Sequence, residues 1–335
     1  MPSCGWLRCM LSFVPYDSLC FPDAMSLLAL ITALLLEQLR PLSSRKYLYG
    51  GLSEYADLFQ RQFNAGAHSH GRVAWLLAVL PLLTIIAAMY WVFYEMHPII
   101  AWAFNVLVLY LTMGFRQFSH YFTGIHKALL DGRLDDARSM LARWRGISSH
   151  ELNAEEVARL TIEEALLASH RHVFGVIVWF VITMLVGMGP TGAVLYRLVL
   201  FLNARWGEAD DEDIGRFGEF AHQAFQILEW LPLRMTAMTF AIVGNFEDTV
   251  YCWRTQAADW PDRETGLLLA SGGGALGVRL GMAIPQGGVP FHRPELGIGD
   301  EADTDFMQSA VGLVWRSVVF WLILLSLLTL ASLLG

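Results

Sequence analysis

Two arginines interrupt apolar stretches of the chain, and this position makes them the first candidates for a binding site. Arg197 lies within the stretch 191–206, and Arg234 lies within 231–246. A charged side chain inside a membrane is costly, so it normally faces a partner, a cavity or water. Both arginines are therefore of more interest than any charge at the surface.

A second polar group, Ser169-His170-Arg171-His172, lies just before an apolar run. On a regular helix His170 and His172 diverge by about 200°, so they cannot chelate one metal ion. We expect the segment to be a polar cap at the membrane interface. The alternative is a pH-responsive or anion-binding patch at the membrane surface. No other spacing in the chain is strong enough to predict a metal site.

Two further clusters invite a binding interpretation that their surroundings do not support. The acidic run 208–213 is typical of a solvated loop, with a Mg²⁺ or basic-partner site as the alternative. The glycine-rich run 272–281 is followed by no Lys-Ser/Thr pair and preceded by no predicted strand, so it is neither a P-loop nor a dinucleotide motif. Close packing of membrane helices explains these glycines better.

The amino-acid composition indicates the environment of these residues. Hydrophobic residues make up 55% of the 335 residues and charged residues only 16%, with a mean hydropathy of +0.44. A soluble domain carries about 25% charged residues. The chain is therefore predicted to be a polytopic membrane protein in contact with the lipid bilayer. The net charge of −8 excludes a nucleic-acid binder, and four cysteines do not form a disulfide framework.

Apolar runs predict an all-α bundle of about five to seven membrane helices, since a span takes about 20 residues. Clear spans lie at 73–94, 98–114, 173–188 and 314–334, a half-span lies at 25–36, and the stretches 191–206 and 231–246 are ambiguous.

Lysine and arginine counts predict the orientation. The loop 37–72 holds five and the segment 115–172 holds eight, whereas the turns 95–97 and 189–192 hold none. The positive-inside rule therefore places both long segments in the cytoplasm, as expected of a multi-pass membrane protein.

The cytoplasmic segment 115–172 is predicted to form a helical hairpin. Its first helix covers 116–144 with a break near Asp131-Gly132, and a second helix begins after Asn153, a predicted N-cap. Residues 1–24 contain three prolines, lack a helical period and match a signal peptide poorly. We interpret them as a non-native or disordered extension, and residues 25–335 as a single membrane domain that includes a glycine-rich segment at 265–300.

Several short motifs together carry a resemblance to a known family. Residues 272–281, GGGALGVRLG, resemble the Gly-Ala-Leu-Gly-x-x-Leu-Gly signature of the CobD/CbiB family, polytopic inner-membrane proteins of cobalamin biosynthesis. Gly189-Pro190 with Tyr196 and Arg197 resembles its Pro-Gly-Ala-x-x-Tyr-Lys block, and residues 231–234 resemble its Leu-Pro-Ala-Arg block. The order and spacing hold over residues 25–335.

The resemblance implies a cytoplasm-facing cavity and a set of residues around it. Glu163 would be a polar anchor and the one weak catalytic candidate, Tyr196 a hydrogen-bond donor, and Arg197, Arg234 and Arg279 cations for a corrinoid or another anionic small molecule. Gly274 and Gly277 would shape the cavity. The family joins aminopropanol or its phosphate to adenosylcobyric acid, a ligase-type reaction that implies ATP and Mg²⁺ only if the activity is retained.

Most of the family's metal-binding carboxylates are replaced in this chain. Glu163 matches the first of them, but apolar or amide residues occupy most of the other positions, namely Leu167, Ala168, Leu200, Asn203, Phe225 and Gln226. Residues 227–234 also resemble AmpE, a membrane protein linked to β-lactamase induction. Two hypotheses therefore stay open: a divergent cobalamin-biosynthesis enzyme, or an AmpE-like sensor or scaffold without catalysis, with protein partners unknown.

Overall fold

The computed structural model of the protein describes residues 24–39, 45–63, 68–147, 149–207, 215–286 and 289–334. The predicted extension therefore lies outside the described residues, apart from Ala24, where the first helix begins. The helices are α1 (Ala24–Leu39), α2 (Arg45–Phe63), α3 (His68–Met96), α4 (Pro98–Thr112), α5 (Phe115–Leu130), α6 (Leu134–Arg145), α7 (Ala154–Ser169), α8 (Gly175–Leu185), α9 (Thr191–Leu202), α10 (Gly215–Val243), α11 (Phe246–Thr255), α12 (Arg263–Leu276) and α13 (Thr304–Leu334). Short turns of π-helix occupy His170–Phe174 and Asn203–Gly207, and Ala257–Asp259 form a 3-10 turn.

The predicted all-α membrane fold is confirmed. Three helical stretches of the described residues are long and apolar enough to cross a membrane: His70–Met96, Ala154–Leu185 and Thr304–Ser332. The second of them joins α7 and α8 through the π-helical turn without a break. Met25–Leu39 is a shorter apolar helix, in agreement with the predicted half-span. Pro98–Thr112 is also a shorter apolar helix, although the sequence predicts a full span at 98–114, because the helix ends at Thr112 after 15 residues. The multi-pass topology and the inner-membrane location stay predictions.

The segment 115–172 is helical and breaks at the predicted place, but its described residues form three helices, of which α5 and α6 pack against each other as a hairpin. The break at Asp131-Gly132 separates α5 from α6, and Gly132 adopts a φ of 71° that favours glycine. Asn153 caps α7 in a capping box, in which its side chain accepts from the Glu156 N–H and the Glu156 carboxylate accepts from the Asn153 N–H.

The glycine-rich segment forms a helix that is followed by two pairs of short antiparallel strands. After α12, the strands β1 (Arg279–Gly281) and β4 (Glu295–Gly297) pair antiparallel, and β2 (Ile284–Gln286) pairs with β3 (Val289–Phe291) inside them. We call residues 279–297 the nested hairpin. Gly281 permits its close packing, because its φ is +73° and an added Cβ would lie 2.1 Å from the Pro294 carbonyl oxygen.

The main hydrophobic core surrounds α7. Even the polar side chains Arg159, Thr161 and Glu163 of this helix are buried. Helices α6, α12 and α13 pack around it, and a smaller cluster joins α2, α3, α9 and α10. Charged groups in the middle of α7 therefore need partners from other elements, and these partners define the candidate site.

Candidate functional site

The π-helical turn at the end of α7 turns His170 into the bundle. This side chain is 1% exposed, and its Nε2 lies 3.1 Å from Oε1 of Glu229. Its Nδ1 lies 2.9 Å from the Thr236 hydroxyl. The expectation of a polar interfacial cap is thus wrong for His170. The reason is physical: a π-helical turn accommodates an extra residue and changes the direction of the side chains relative to a regular helix.

Glu229 is the centre of a buried polar network. Its carboxylate is 3% exposed, and its Oε2 accepts a 2.6 Å hydrogen bond from the Tyr196 hydroxyl. A buried carboxylate is unfavourable unless it is paired and hydrogen bonded, and here each oxygen has a neighbour. The network joins the π-helical turn to α9 and α10. Tyr196 is therefore a donor, as the resemblance implies, but its acceptor is a side chain of the protein.

Sequence reasoning missed Glu229 as a site residue and gave His170 a binding role only in the alternative interpretation of residues 169–172. A signal was present, because Glu229 is the only acidic residue between Phe220 and Val243. A lone carboxylate in so apolar a helix is expected to face a partner inside the bundle.

A small cleft opens beside this network, between the π-helical turn, α10 and the beginning of α12. It has a free volume of about 40 Å³, enough for one small functional group. We call it the His170 cleft, and its lining residues are Leu167, His170, Arg171, His222, Phe225, Gln226, Glu229, Leu233, Asp262, Glu264, Thr265 and Leu268.

Arg171 gives the His170 cleft a cation. Its guanidinium lies 5.9 Å from the centroid of the Phe225 ring, and its Nε is buried without a hydrogen-bond partner among the described residues. A guanidinium in this state has donors available for a carboxylate or phosphate. The arrangement can therefore hold an anionic group next to the His170–Glu229 pair.

The two arginines predicted from the apolar stretches lie near this cleft but do not line it. Arg197 contacts Nδ1 of His172. Arg234 pairs with Glu264 at 3.4 Å and lies 4.3 Å from the centroid of the Trp230 ring. Each arginine thus has a partner, as the cost of burying a charge predicts, and the partner of Arg234, Glu264, lines the cleft.

Glu163 lies in a different place, where it anchors the nested hairpin. Its carboxylate receives two hydrogen bonds from Arg293, at 2.8 and 3.2 Å, and one from the Gly281 N–H at 2.8 Å. Arg293 also donates to the carbonyl oxygens of Gly281 and Met282. The polar-anchor role implied by the resemblance fits this geometry. Arg293 was missed, because its partner lies 130 residues away in the sequence.

The remaining candidates belong to the same region. Arg279 lies on β1 and pairs with Glu301 at 3.3 Å and with Glu295 at 3.8 Å. Gly274 permits close packing, since an added Cβ would lie 2.7 Å from the Asp248 carbonyl oxygen, and Gly277 ends α12 with a φ of +68°. Among the described residues, the candidates therefore divide between the surroundings of the His170 cleft and the nested hairpin, and one shared cavity stays a prediction.

The described residues do not fit the Mg²⁺–nucleotide centre that the resemblance implies. No group of three or more His, Cys, Asp or Glu side chains among them could hold a metal ion. Mg²⁺ is bound through oxygen ligands, chiefly carboxylates, yet Glu163 and Glu229 are both occupied by protein donors. The acidic run 208–213 lies outside the described residues.

The fold and the buried charges define an integral membrane protein of the helical-bundle class, with polar networks held inside the bundle. Residues 29–314 match the family described as CobD/Cbib protein, so the chain belongs to the CobD/CbiB family.

Several bacterial proteins are similar in sequence to this chain over most of its length. A cobalamin biosynthesis protein CobD from Stutzerimonas stutzeri is 35% identical over 302 residues, which cover 89% of this chain and 96% of that protein. The protein of the same name from Chromobacterium violaceum is 36% identical over 74% of this chain and 72% of its own length. The one from Leptospira interrogans is 24% identical over 61% of this chain and 64% of its own length. No solved structure matches the chain significantly.

Proposed function

We propose that this protein acts in cobalamin biosynthesis, at the step that joins aminopropanol or its phosphate to adenosylcobyric acid. The observation that carries the proposal is the similarity to a relative named for cobalamin biosynthesis, which extends over 96% of that relative. Similarity over almost the whole length favours a shared role more strongly than a shared short motif does.

The His170 cleft supports the proposal chemically. An amide forms when a neutral amine attacks an activated carboxyl group, so the ammonium form must first lose a proton. In our proposal the His170–Glu229 pair accepts that proton, since Nε2 and Oε1 lie 3.1 Å apart at the wall of the cleft. Arg171 holds the anionic group of the substrate. The described residues provide no set of metal ligands for the group that would activate the carboxyl.

Complementation tests this proposal. A bacterial strain that lacks the corresponding synthase is supplied with cobyric acid and with a gene for this protein, and growth that depends on cobalamin is measured. We expect growth with the wild type and with Arg133→Met, because Arg133 is an exposed cation of the α5–α6 hairpin. Absence of growth, despite normal amounts of protein in the membrane, would contradict the enzymatic role.

Two cleft variants test the assigned residues. Arg171→Met removes the cation and Glu229→Gln removes the proton acceptor while retaining the shape of the side chain. We expect both to reduce cobalamin formation at least tenfold while the protein remains in the membrane. Unchanged cobalamin formation in both variants would remove the cleft from the mechanism and leave the family role intact.

A second candidate function is an AmpE-like sensor or scaffold, and one observation favours it. The described residues contain no cluster that could hold a metal ion, whereas the ligase reaction implies Mg²⁺. Deletion of the gene should then alter β-lactamase induction and leave corrinoid levels unchanged. Mg²⁺-dependent nucleotide hydrolysis by the purified protein would contradict this alternative.

A further inference from the structure

A second polar cavity, of about 200 Å³, lies between the beginning of α7, the nested hairpin and the residues just before α13. We call it the Arg159 pocket, after its buried cation. Its lining also includes Asn153, Glu156, Arg279, Ala283 and Glu301. It shares no lining residue with the His170 cleft.

Arg159 is a buried cation without a carboxylate partner among the described residues. It is 7% exposed, and within the described part of the chain its guanidinium has only two long contacts, 3.6 Å to Sδ of Met282 and 3.4 Å to the Ala283 carbonyl oxygen. Its Nε is buried and finds no hydrogen-bond partner among the residues that the structure describes. Glu163, one helical turn further on, is already bound to Arg293 and Gly281.

An uncompensated buried charge is expensive, and proteins normally pair it or use it. An arginine that served only as a solvated charge would gain no stability from this buried position. An apolar residue of similar volume would avoid the cost of burying a charge. The position therefore favours a ligand that supplies the missing negative charge.

The other groups around the Arg159 pocket agree with this charge balance. The pocket lies at the N-terminus of α7, where the helix dipole favours an anion, and Nε of Arg279 is also buried without a hydrogen-bond partner among the described residues. Three acids line the pocket, and each is exposed or already bound: Glu155 is exposed, Glu156 belongs to the capping box, and Glu301 pairs with Arg279 at the surface. The buried end of the pocket is thus positive and its exposed end negative.

We propose that the Arg159 pocket binds one oxyanion, the phosphate or carboxylate group of a small molecule, with Arg159 as its buried counter-charge and Arg279 as a second donor. The acidic residues at the exposed end would repel a second anion, so we expect the pocket to bind a single anionic group. This proposal does not rest on the proposed function, because no group of the His170 cleft takes part in it.

Binding of inorganic phosphate to the purified full-length protein in detergent tests the proposal. The dissociation constant is measured by calorimetry at constant ionic strength for Arg171→Met, which lacks the cation of the His170 cleft, and for the double variant Arg171→Met with Arg159→Met. We expect Arg171→Met to bind one phosphate and the double variant to bind it at least tenfold more weakly. Equal binding by these two variants would overturn the proposal, as would the absence of phosphate binding in Arg171→Met.

A second variant keeps the test decisive if Arg159→Met does not fold. Glu301→Gln removes an exposed acid that holds Arg279, so phosphate should bind several times more tightly than to the wild type. Weaker or unchanged binding would contradict the proposed charge balance. Acetate and phosphatidylglycerol, added in place of phosphate, identify whether a carboxylate or a lipid phosphate competes for the same site, and competition by either supports the oxyanion class.

Discussion

The buried pair between Glu163 and Arg293 allows a quantitative prediction about the nested hairpin. Glu163→Ala removes the acceptor of three hydrogen bonds, two from Arg293 and one from the Gly281 N–H, all between 2.8 and 3.2 Å. It also leaves Arg293, which is only 8% exposed, without its carboxylate. Removal of one partner from a buried ion pair costs about 3–5 kcal/mol.

The cost should appear locally, because the pair joins α7 to one hairpin. At about 1.4 kcal/mol per factor of ten, the backbone amides of residues 279–297 should exchange about a hundredfold to several thousandfold faster in Glu163→Ala. Hydrogen exchange followed by mass spectrometry in detergent measures this. The amides of α3 serve as the internal control, since this helix packs mainly against α2, α4, α9 and α10 and not against the Glu163–Arg293 pair.

The double variant Glu163→Met with Arg293→Met separates loss of the pair from exposure of a lone charge. Replacing both charges by apolar side chains removes the desolvation cost of each, so the double variant should be much closer to the wild type than either single variant. If the single variant changes exchange less than threefold, or if the two single effects simply add, the ion pair does not anchor the hairpin.

Three further predictions concern single positions. Gly281→Ala should lower the melting temperature by several degrees, because the added Cβ would lie 2.1 Å from a carbonyl oxygen and the φ of this residue is +73°. Gly312→Ala should not lower it, because the described structure has no atom within 4 Å of the added Cβ. Equal melting temperatures of the two variants would contradict the packing at Gly281. Tyr196→Phe should reduce the free energy of unfolding by about 1.5–3 kcal/mol, because it removes a 2.6 Å hydrogen bond to a carboxylate; an effect below about 0.5 kcal/mol in denaturant titration would count against the network. Burial raises the pKa of the Cys252 thiol to about 11. At pH 8 the native wild type and native Cys252→Ala should therefore show the same number of reactive thiols, and the two proteins should differ by one thiol only after denaturation. A difference in the native state would contradict the burial of Cys252.

Local signals in the sequence predicted much of the fold. The N-cap at Asn153 and the break at Asp131-Gly132 depend on neighbours within a few residues, and both are confirmed. Long apolar runs likewise define α3 and α13, since length and hydropathy alone decide whether a helix can span a membrane.

The site was harder to predict, because its contacts are long-range. Arg293 and Glu163 are 130 residues apart, and Tyr196 and Glu229 are 33 apart, so no spacing rule connects them. His170 was misplaced for another reason: the expected direction of its side chain assumed a regular period, which the π-helical turn changes. The motif-based candidates were near the correct places, but their partners became visible only in the fold.

The most direct test of the functional account is the corrinoid profile of the complemented strain. Mass spectrometry of cells supplied with cobyric acid should detect adenosylcobinamide or its phosphate with the wild type, and at least tenfold less with Arg171→Met at equal amounts of membrane protein. If cobyric acid remains unconverted in cells that hold the wild-type protein in the membrane, the proposed role in cobalamin biosynthesis is contradicted.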